Sequence, residues 1–266
     1  PSQAEGDLAL VLLKSVIPFD YSIFKIAKPQ LVSSNDNLYF YGYGLTGTKS
    51  GGSGFLRKTT ITRSDYQIQE ADVIILTIKP YQVDTVLAEI LPVIANKTIA
   101  SAVSGLSIEN LQNKIGATHQ AVRIMPNIAA QFGASATCIA FQENHKAAAQ
   151  QVVTLFEGLG TAPIIDEKLM DAATVLAASG TAFALRYIRA SMQAGIEIGF
   201  DWQTALAISA QTVKGAAEML LEEKTHPEQL IDRVTTPQGC TIAGLNEMEM
   251  HGFSSSLRSE EHTSEL

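Results

Sequence analysis

Three threonine hydroxyls and a Pro-Gln-Gly turn occur together in the segment Thr235–Thr241, whose sequence is TTPQGCT. A helical pattern begins at the end of this segment, and the first backbone N–H groups of a helix carry partial positive charge. Hydroxyls and free N–H groups at such a position can bind a small anion such as a carboxylate. The same residues could equally form a simple N-terminal cap, in which Thr236 or Thr241 satisfies the free amides without a ligand.

A second group of candidate residues follows three strand-like apolar runs, at 73–78, 98–103 and 121–125. Ligands of open parallel sheets bind just beyond the carboxyl ends of the strands. These positions therefore predict a ligand-binding edge, although each residue could also simply end its strand. The predicted edge consists of Lys79, Pro80, Ala102, Ser104, Gly105, Met125 and Asn127.

The pattern around these runs predicts alternating strands and helices. Apolar residues recur at helical spacing over 83–91 and again over 108–115, where Gly116 is typical of a helix end. A further strand is expected at 136–141 and a further helix at 147–159. This alternation predicts a parallel, doubly wound sheet with helices on both faces.

After Pro163 the pattern becomes helical. The segment 170–200 is rich in Ala, Ser and Gly and has apolar positions all around, so we predict a helix buried on most sides. Residues 205–222 predict another helix, and Thr225 with Glu228 fits a capping box for the next one. Because small residues let helix backbones approach closely, we expect this domain to form an obligate dimer.

The bulk composition fits two globular domains, which we place at residues 1–163 (α/β) and 164–257 (all-α). The net charge of −8, without clustered Lys or Arg, argues against a nucleic-acid partner. Cys138 and Cys240 lack the spacing of a disulfide framework or a zinc site, so we expect no metal and a cytoplasmic location. No apolar stretch has the length or the flanks of a membrane span or a secretory signal.

Several motifs resemble the pyrroline-5-carboxylate reductase family. DRVTTPQGCTIAGL (232–245) is similar to the family's D-x-V-[ST]-[ST]-P-G-G-T-T-I-x-[AG]-L. DAATVLAASGTAFAL (171–185) resembles D-A-x-T-A-L-x-G-S-G-P-A-[YF], and VRIMPN (122–127) resembles R-x-M-P-N-T-P-A. The resemblance extends over residues 71–257 and also includes ADVIILTIKP (71–80), AVSGLSIENL (102–111) and AISAQTVKGAAEMLLE (207–222).

The resemblance implies a Rossmann domain followed by a helical dimerisation domain, in a homodimer or a larger homo-oligomer. It also implies hydride transfer from NADPH or NADH to the C=N carbon of pyrroline-5-carboxylate, which gives proline. An imine accepts hydride better when its nitrogen is protonated, and the resemblance assigns that nitrogen to Thr241. Thr236 and the amides of Gly239, Cys240 and Thr241 are implied to bind the carboxylate, with Ser179 as a further substrate contact. The predicted strand-end edge is implied to bind the cofactor.

The start of the chain departs from the family pattern. A nicotinamide enzyme of this kind should begin with a strand and a Gly-x-Gly-x-x-[GA] turn that admits the diphosphate to a helix N-terminus. EGDLALVLLKSVI (5–17) is similar to the helix that follows this turn, with Gly6, Asp7 and Leu8 at cofactor-binding positions. We therefore expect the first strand and the first glycine of the turn to be absent.

Further departures occur inside the motifs and at the end of the chain. Ala178, Thr181 and Gln238 replace a glycine, a proline and a glycine, and a Cβ at 178 or 238 would crowd the ligands. The Gly/Ser-rich segment 38–54 has the composition of an insertion, and RSEEHTSEL (258–266) resembles a translated sequencing adapter.

Two other functions stay open at this point. One is a related Rossmann reductase that acts on another cyclic imine or small acid. The other is a paralogue without activity that dimerises but binds cofactor poorly, which the missing glycine turn favours. The resemblance favours NADPH over NADH. The residues after the second strand decide this preference, and the sequence does not define the position of that strand.

Overall fold

The computed structural model describes the backbone of residues 10–13 and the whole of residues 71–258. The predictions that concern Gly6, Asp7, Leu8 and the segments 38–54 and 259–266 lie outside these residues. The chain divides into two compact units between Ala178 and Ser179. No helix of the described residues is both long and apolar enough to cross a membrane.

The first unit contains a five-stranded sheet with the order β1-β2-β3-β4-β6. The strands β2, β3 and β4 are parallel, with Leu76 opposite Ser101 and Ser101 opposite Arg123. The short strands β5 and β7 pair with each other in a separate parallel ladder. The strands are β1 (Leu10–Leu13), β2 (Val73–Leu76), β3 (Thr98–Ser101), β4 (Gln120–Met125), β5 (Ser135–Ala136), β6 (Cys138–Phe141) and β7 (Gly160–Thr161).

The outer strands differ from the wholly parallel sheet that we predicted. The strand β1 is antiparallel to β2, and β6 is antiparallel to β4. The connection from β4 to β6 contains only the 3-10 helix Ile128–Phe132 and the short strand β5, whereas the crossover between two parallel strands usually contains an α-helix. The prediction is therefore correct for the central strands and wrong for the two outer ones.

The predicted helix over 5–17 is wrong for residues 10–13, which form β1. These residues pair along the whole of β2, from Leu10 opposite Leu76 to Leu13 opposite Val73. The outer edge of β2 presents backbone N–H and C=O groups that need partners, and an unbroken apolar run suits a strand at this edge.

Helices cover both faces of the sheet, which explains why its strands are apolar on both sides. Ile74 and Leu76 belong to a core that includes the helices on one face, whereas Val73 and Ile75 belong to the core beneath α3 on the other. The helices of this unit are α1 (Val83–Ile90), α2 (Ile108–Ile115), α3 (Lys146–Glu157) and α4 (Met170–Ala173). The predicted doubly wound architecture is confirmed.

The second unit is helical. Its first two helices, α5 and α6, pack against each other, and a Cβ built on Gly195 would lie 3.0 Å from the Cβ of Ala205. Asp201 caps α6, because its Oδ1 accepts a hydrogen bond from the Thr204 N–H at 3.0 Å. The helices are α5 (Gly180–Glu197), α6 (Trp202–Glu223), α7 (Pro227–Val234), α8 (Cys240–Met250) and α9 (Phe253–Arg258).

The segment 170–200 is neither one regular helix nor buried within its own chain. A π-helix, Thr174–Ser179, separates α4 from α5, and no residue of α5 is buried. Between residues 179 and 258 only Ala205 and Leu230 are buried hydrophobic residues. Large apolar side chains of this unit are exposed instead, among them Ile198 at 77% and Leu221 at 67%. The predicted burial is therefore wrong for the single chain, which has too little of its own structure to cover these faces.

The N-terminus of α7 is capped by His226 and not by the predicted pair of Thr225 and Glu228. The Nδ1 atom of His226 accepts a hydrogen bond from the Glu228 N–H at 3.3 Å. Pro227 has the fixed φ that suits the first helical position, so the capping position falls on the residue before it.

His119 is a buried titratable residue of the first unit. Its Nδ1 accepts a hydrogen bond from the Lys97 N–H at 3.2 Å, so this nitrogen carries no proton. Burial lowers the pKa of His119 from its ordinary value of 6.5, because the charged ring loses its hydration.

We expect the free energy of unfolding to decrease as the pH falls below about 6.5, since the unfolded chain binds a proton there that the folded chain does not. The variant His119→Gln should flatten this part of the profile, which urea titrations between about pH 5 and pH 8 would measure. His251→Gln, at an exposed histidine, is the matched control and should leave the slope unchanged. An equally steep slope for His119→Gln and the unchanged chain would contradict this account.

Candidate active site

The carboxyl ends of β2, β3 and β4 lie at one edge of the sheet, because the three strands are parallel and aligned in register. The Ala102 N–H donates to the Leu76 carbonyl at 2.8 Å, which extends the ladder one residue beyond β3. The residues predicted to form the cofactor edge follow these three strands directly. The structure therefore brings this group together within the first unit.

A tight turn exposes the residues that follow β2. The Lys79 N–H donates to Gln82 Oε1 at 2.9 Å, and the Gln82 N–H donates to the Lys79 carbonyl at 3.0 Å. Pro80 begins the 3-10 helix Pro80–Gln82. Lys79 and Pro80 are both exposed at the edge of the sheet.

The loop after β3 exposes its backbone. Ser104 and Gly105 are exposed, and Gly105 has a φ of +72°, a conformation that favours glycine. No atom lies within 4 Å of the place where a Cβ of Gly105 would be. The buried Ser101 hydroxyl accepts a hydrogen bond from the Val103 N–H at 3.2 Å and fixes the start of this loop. A ligand can therefore approach the backbone at Gly105 without displacing a side chain.

The residues at the end of β4 have different environments. The Met125 side chain is buried in the core between the sheet and its helices, so only its backbone is available at the edge. Asn127 is partly exposed, and its side chain binds the backbone: Oδ1 accepts from the Ala129 N–H at 3.0 Å and Nδ2 donates to the Ala177 carbonyl at 3.1 Å.

A buried arginine network is the feature that we assigned no role from the sequence. The Arg123 side chain, in β4, is buried; its Nη2 donates to Asp171 Oδ1 at 3.1 Å and its Nη1 lies 3.6 Å from Glu167 Oε1. Glu167 Oε1 also accepts a hydrogen bond from the Ile108 N–H at 2.6 Å, at the start of α2. A charged residue inside an otherwise apolar strand requires a partner, so the run AVRIM already contained the signal for this network.

In the second unit, the segment between α7 and α8 contains the predicted substrate residues. Thr235 ends α7, with its hydroxyl donating to the Ile231 carbonyl at 2.7 Å. The Gly239 N–H donates to the Thr236 carbonyl at 3.0 Å and closes a turn around Pro237 and Gln238. Gln238 has a φ of +59° in this turn, a conformation that glycine adopts at lower cost. This conformation explains why the family pattern has glycine at the position of Gln238.

A side chain at Gly239 would be crowded in this arrangement. A Cβ at this position would overlap the Thr236 hydroxyl and lie 3.0 Å from the Thr236 carbonyl oxygen. Gly239 is also the N-cap residue of α8. The helix therefore begins at a residue that has no side chain with which to cap it.

No side chain caps the first turn of α8, so the simple helix-cap interpretation of Thr236 and Thr241 finds no support. Within the described residues the hydroxyls of Thr236 and Thr241 make no hydrogen bond. Thr236 is exposed and Thr241 is partly exposed. The turn thus presents free helical amides between two unengaged hydroxyls, which is the chemistry of a small-anion site.

The remaining predicted substrate residue and the two cysteines have simple environments. Ser179 is exposed, ends the π-helix and makes no capping bond at the start of α5. Cys240 is exposed, whereas Cys138 is buried, and burial raises the pKa of the Cys138 thiol. Residues 71–258 contain no group of three or more His, Cys, Asp or Glu side chains that could hold a metal ion.

Two family profiles match the chain. Residues 167–261 match the family described as pyrroline-5-carboxylate reductase dimerisation, and residues 36–151 match ketopantoate reductase PanE/ApbA. The first match includes all of the helices of the second unit. The predicted helical dimerisation domain is thereby confirmed.

Similar proteins come from distant organisms. The chain is 42% identical to pyrroline-5-carboxylate reductase 1 of Dictyostelium discoideum over 74% of its own length, and spans 38% of that longer protein. It is 40% identical to pyrroline-5-carboxylate reductase 2 of the same organism, with 70% of this chain and 67% of the relative covered. It is 35% identical to the Methanosarcina acetivorans pyrroline-5-carboxylate reductase, with 75% and 76% covered.

Solved structures of reductases share the fold. The Plasmodium falciparum pyrroline carboxylate reductase with NADP bound is 26% identical, with a TM-score of 0.69 and with 79% of this chain and 82% of that chain covered. The Streptococcus pyogenes 1-pyrroline-5-carboxylate reductase is 33% identical, with a TM-score of 0.65 and with 74% and 76% covered. The chain belongs to the pyrroline-5-carboxylate reductase family.

Proposed function

We propose that the protein reduces 1-pyrroline-5-carboxylate to proline with NADPH or NADH as hydride donor, as the last step of proline biosynthesis in the cytoplasm. The observation that carries this proposal is the uncapped first turn of α8, between the free hydroxyls of Thr236 and Thr241. This turn has the composition of the family signature at its substrate segment. The relatives named above are reductases of this substrate.

The turn can hold the carboxylate of the substrate without a basic side chain. The amides of Cys240 and Thr241 lie at the positive end of the α8 dipole, where a carboxylate is stabilised. The Gly239 amide, which the family resemblance also assigns to the carboxylate, already donates to the Thr236 carbonyl. The exposed Thr236 hydroxyl can donate a further hydrogen bond. An overall charge of −8 is therefore compatible with an anionic substrate, because the binding groups are local.

Thr241 is the residue that we assign to the imine nitrogen. Its hydroxyl has no partner in the described residues and can donate to the nitrogen directly or through a water molecule. A proton from solvent on the nitrogen makes the C=N carbon a better hydride acceptor, and this proton stays on the nitrogen of the proline that forms. Ser179 is proposed as a further contact of the substrate.

The carboxyl edge of the sheet fits a nicotinamide cofactor, which supplies the hydride when bound. Exposed backbone at Gly105, with open space where a side chain would be, admits a flat ring or a ribose closely. Lys79 and Pro80 are exposed beside it, together with Ser104. The cofactor residues that we propose are Lys79, Pro80, Ala102, Ser104, Gly105, the backbone of Met125 and Asn127, and Gly6, Asp7 and Leu8 near the start of the chain.

One assay distinguishes this proposal from the two alternatives, a related imine or small-acid reductase and an inactive paralogue. The match to ketopantoate reductase over residues 36–151 favours a nicotinamide-dependent reductase but concerns the first part of the chain alone. NADPH absorbance should fall with pyrroline-5-carboxylate and much more slowly with its six-membered analogue. A preference for the analogue would indicate the related imine reductase, and neither turnover nor NADPH binding would indicate the inactive paralogue.

The variant Thr241→Ala should lower kcat about a hundredfold, because it removes the proposed hydrogen bond that stabilises the protonation of the imine nitrogen. The dissociation constant of NADPH, measured by fluorescence titration, should change by less than about threefold, because Thr241 contacts only the substrate in this proposal. Thr241→Ser should retain most of the activity.

The matched control is Thr212→Ala, on α6, where the hydroxyl bonds to the Ile208 carbonyl at 2.8 Å. This variant loses a threonine hydroxyl far from the turn in sequence and should keep full activity. Equal kcat values for Thr241→Ala and Thr212→Ala would remove Thr241 from the proposed role.

The second unit supports a homodimer. Burial of apolar surface is the main favourable term in folding, yet only Ala205 and Leu230 are buried among the hydrophobic residues of 179–258. Exposed apolar residues recur on α5 and α6, for example Leu185 at 60% and Ile208 at 50%. A second copy of the same helices would cover these faces.

Light scattering should give a mass of twice 28.5 kDa or a multiple of that dimer. Ile208→Glu should shift the protein toward monomer, because it places a charge on an apolar face of α6. Leu169→Glu, at a side chain of equal exposure (49%) in the first unit, should leave the mass unchanged. A monomeric mass of the unchanged chain at micromolar concentration would contradict the homodimer.

A further inference from the structure

Asn127 connects two segments that are distant in sequence. Its Oδ1 accepts from the Ala129 N–H at 3.0 Å and caps the 3-10 helix Ile128–Phe132. Its Nδ2 donates at 3.1 Å to the carbonyl of Ala177, which is 50 residues later in the chain. The backbone of Asn127 is itself held, because its N–H donates to Ser135 Oγ at 3.2 Å. One side chain therefore joins the loop after β4 to the segment around Ala177.

The segment around Ala177 has an unusual backbone. It belongs to the π-helix Thr174–Ser179, whose wider turn is rare and is found mostly at functional sites. Thr174 donates its hydroxyl to the Met170 carbonyl at 3.1 Å, at the point where the regular helix α4 gives way to the wider turn. Such a turn requires contacts from outside the helix, because its own hydrogen-bond geometry is less favourable than that of an α-helix.

The strand β4 contacts the chain just before the π-helix. Arg123, four residues before Asn127, contacts Asp171 at 3.1 Å, three residues before Thr174. The Arg123 side chain is 93% buried, whereas that of Asp171 is 76% exposed, so a guanidinium fixed inside the first unit contacts a carboxylate at its surface. The motifs VRIMPN and DAATVLAASG thus meet twice, at Arg123 with Asp171 and at Asn127 with Ala177.

We propose that Asn127 is a positioning residue of the active site, which stabilises the π-helix through the Ala177 carbonyl. By holding this carbonyl, Asn127 sets the backbone conformation that leads into Ser179. This role rests on the proposed function, because Ser179 is proposed as a substrate contact. The amide acts through the π-helix, so its effect on Ser179 passes along the backbone.

The variant Asn127→Asp tests this role, since it keeps the size and the Oδ1 acceptor for Ala129 but replaces the donor to Ala177. Hydrogen exchange of the amides in 174–183 should become about tenfold faster, while exchange in α1 stays unchanged. The KM for pyrroline-5-carboxylate, measured at saturating NADPH, should rise about fivefold.

Ser107→Ala is the matched control, because it also removes a capping bond in the first unit, that of Ser107 Oγ with the Asn110 N–H at 3.1 Å. It should leave exchange in 174–183 and the KM unchanged. If Asn127→Asp does not fold, Asn127→Ser gives the same comparison, since its shorter side chain keeps a polar group near Ala129 but not near Ala177.

Hydrogen exchange and the KM test the positioning role and the proposed function separately. Hydrogen exchange requires no turnover, so an inactive unchanged chain contradicts the proposed function and leaves the contact of Asn127 to be judged by exchange. Exchange in 174–183 that is the same in Asn127→Asp and in the unchanged chain would overturn the positioning role. An increase in exchange with no change in KM would overturn it as well, because the contact would then be purely structural.

Discussion

The close approach of the Gly239 backbone to Thr236 is the constraint on which the proposed chemistry of the second unit depends. A Cβ at Gly239 would overlap the Thr236 hydroxyl and lie 3.0 Å from the Thr236 carbonyl oxygen, and this residue is the N-cap of α8. A helix that begins on glycine has no side chain of its own to satisfy its first amides. The same constraint that shapes the turn therefore leaves the positive end of the helix available for a carboxylate.

In the first unit, the sheet determines where the loops lie and side chains determine their conformations. The parallel strands β2, β3 and β4 place their following loops at one edge, and helices on both faces keep the sheet apolar and rigid. Hydrogen bonds from side chains to backbone then determine the conformations of these loops, as Gln82 does after β2 and Asn127 does after β4. The groups that we propose for the cofactor are mostly backbone atoms and small side chains, which explains why the sequence pattern there is short.

Much of this architecture could be predicted from the sequence, because its signals are local. The apolar run at 73–78 indicated a buried strand, and the spacing over 108–115 with Gly116 indicated the helix α2 and its end. The family resemblance and the helical second domain were predicted from motifs at 122–127, 171–185 and 232–245 and are confirmed by the comparisons.

The failures concern features that depend on long-range partners. The direction of β6 follows from a connection that contains no crossover helix, and the strand at 10–13 follows from the free edge of β2. The exposure of α5 could not be predicted from its apolar pattern. Such a pattern indicates that a helix is covered, but not whether its own chain or a second copy covers it. The contacts of Arg123 and Asn127 join segments about 50 residues apart, so the pattern along the chain indicates that the charged Arg123 needs a partner but does not identify the partner of either residue.

The central claim, that the turn before α8 binds the substrate carboxylate, can be tested without turnover through the two cysteines. Cys240 is exposed in the turn and Cys138 is buried in the sheet, so iodoacetamide should label Cys240 alone in the folded protein. Saturating proline with NADP should slow the labelling of Cys240 about tenfold, whereas prolinamide, which lacks the carboxylate, should not. An unchanged rate of Cys240 labelling in the presence of proline would contradict the claim.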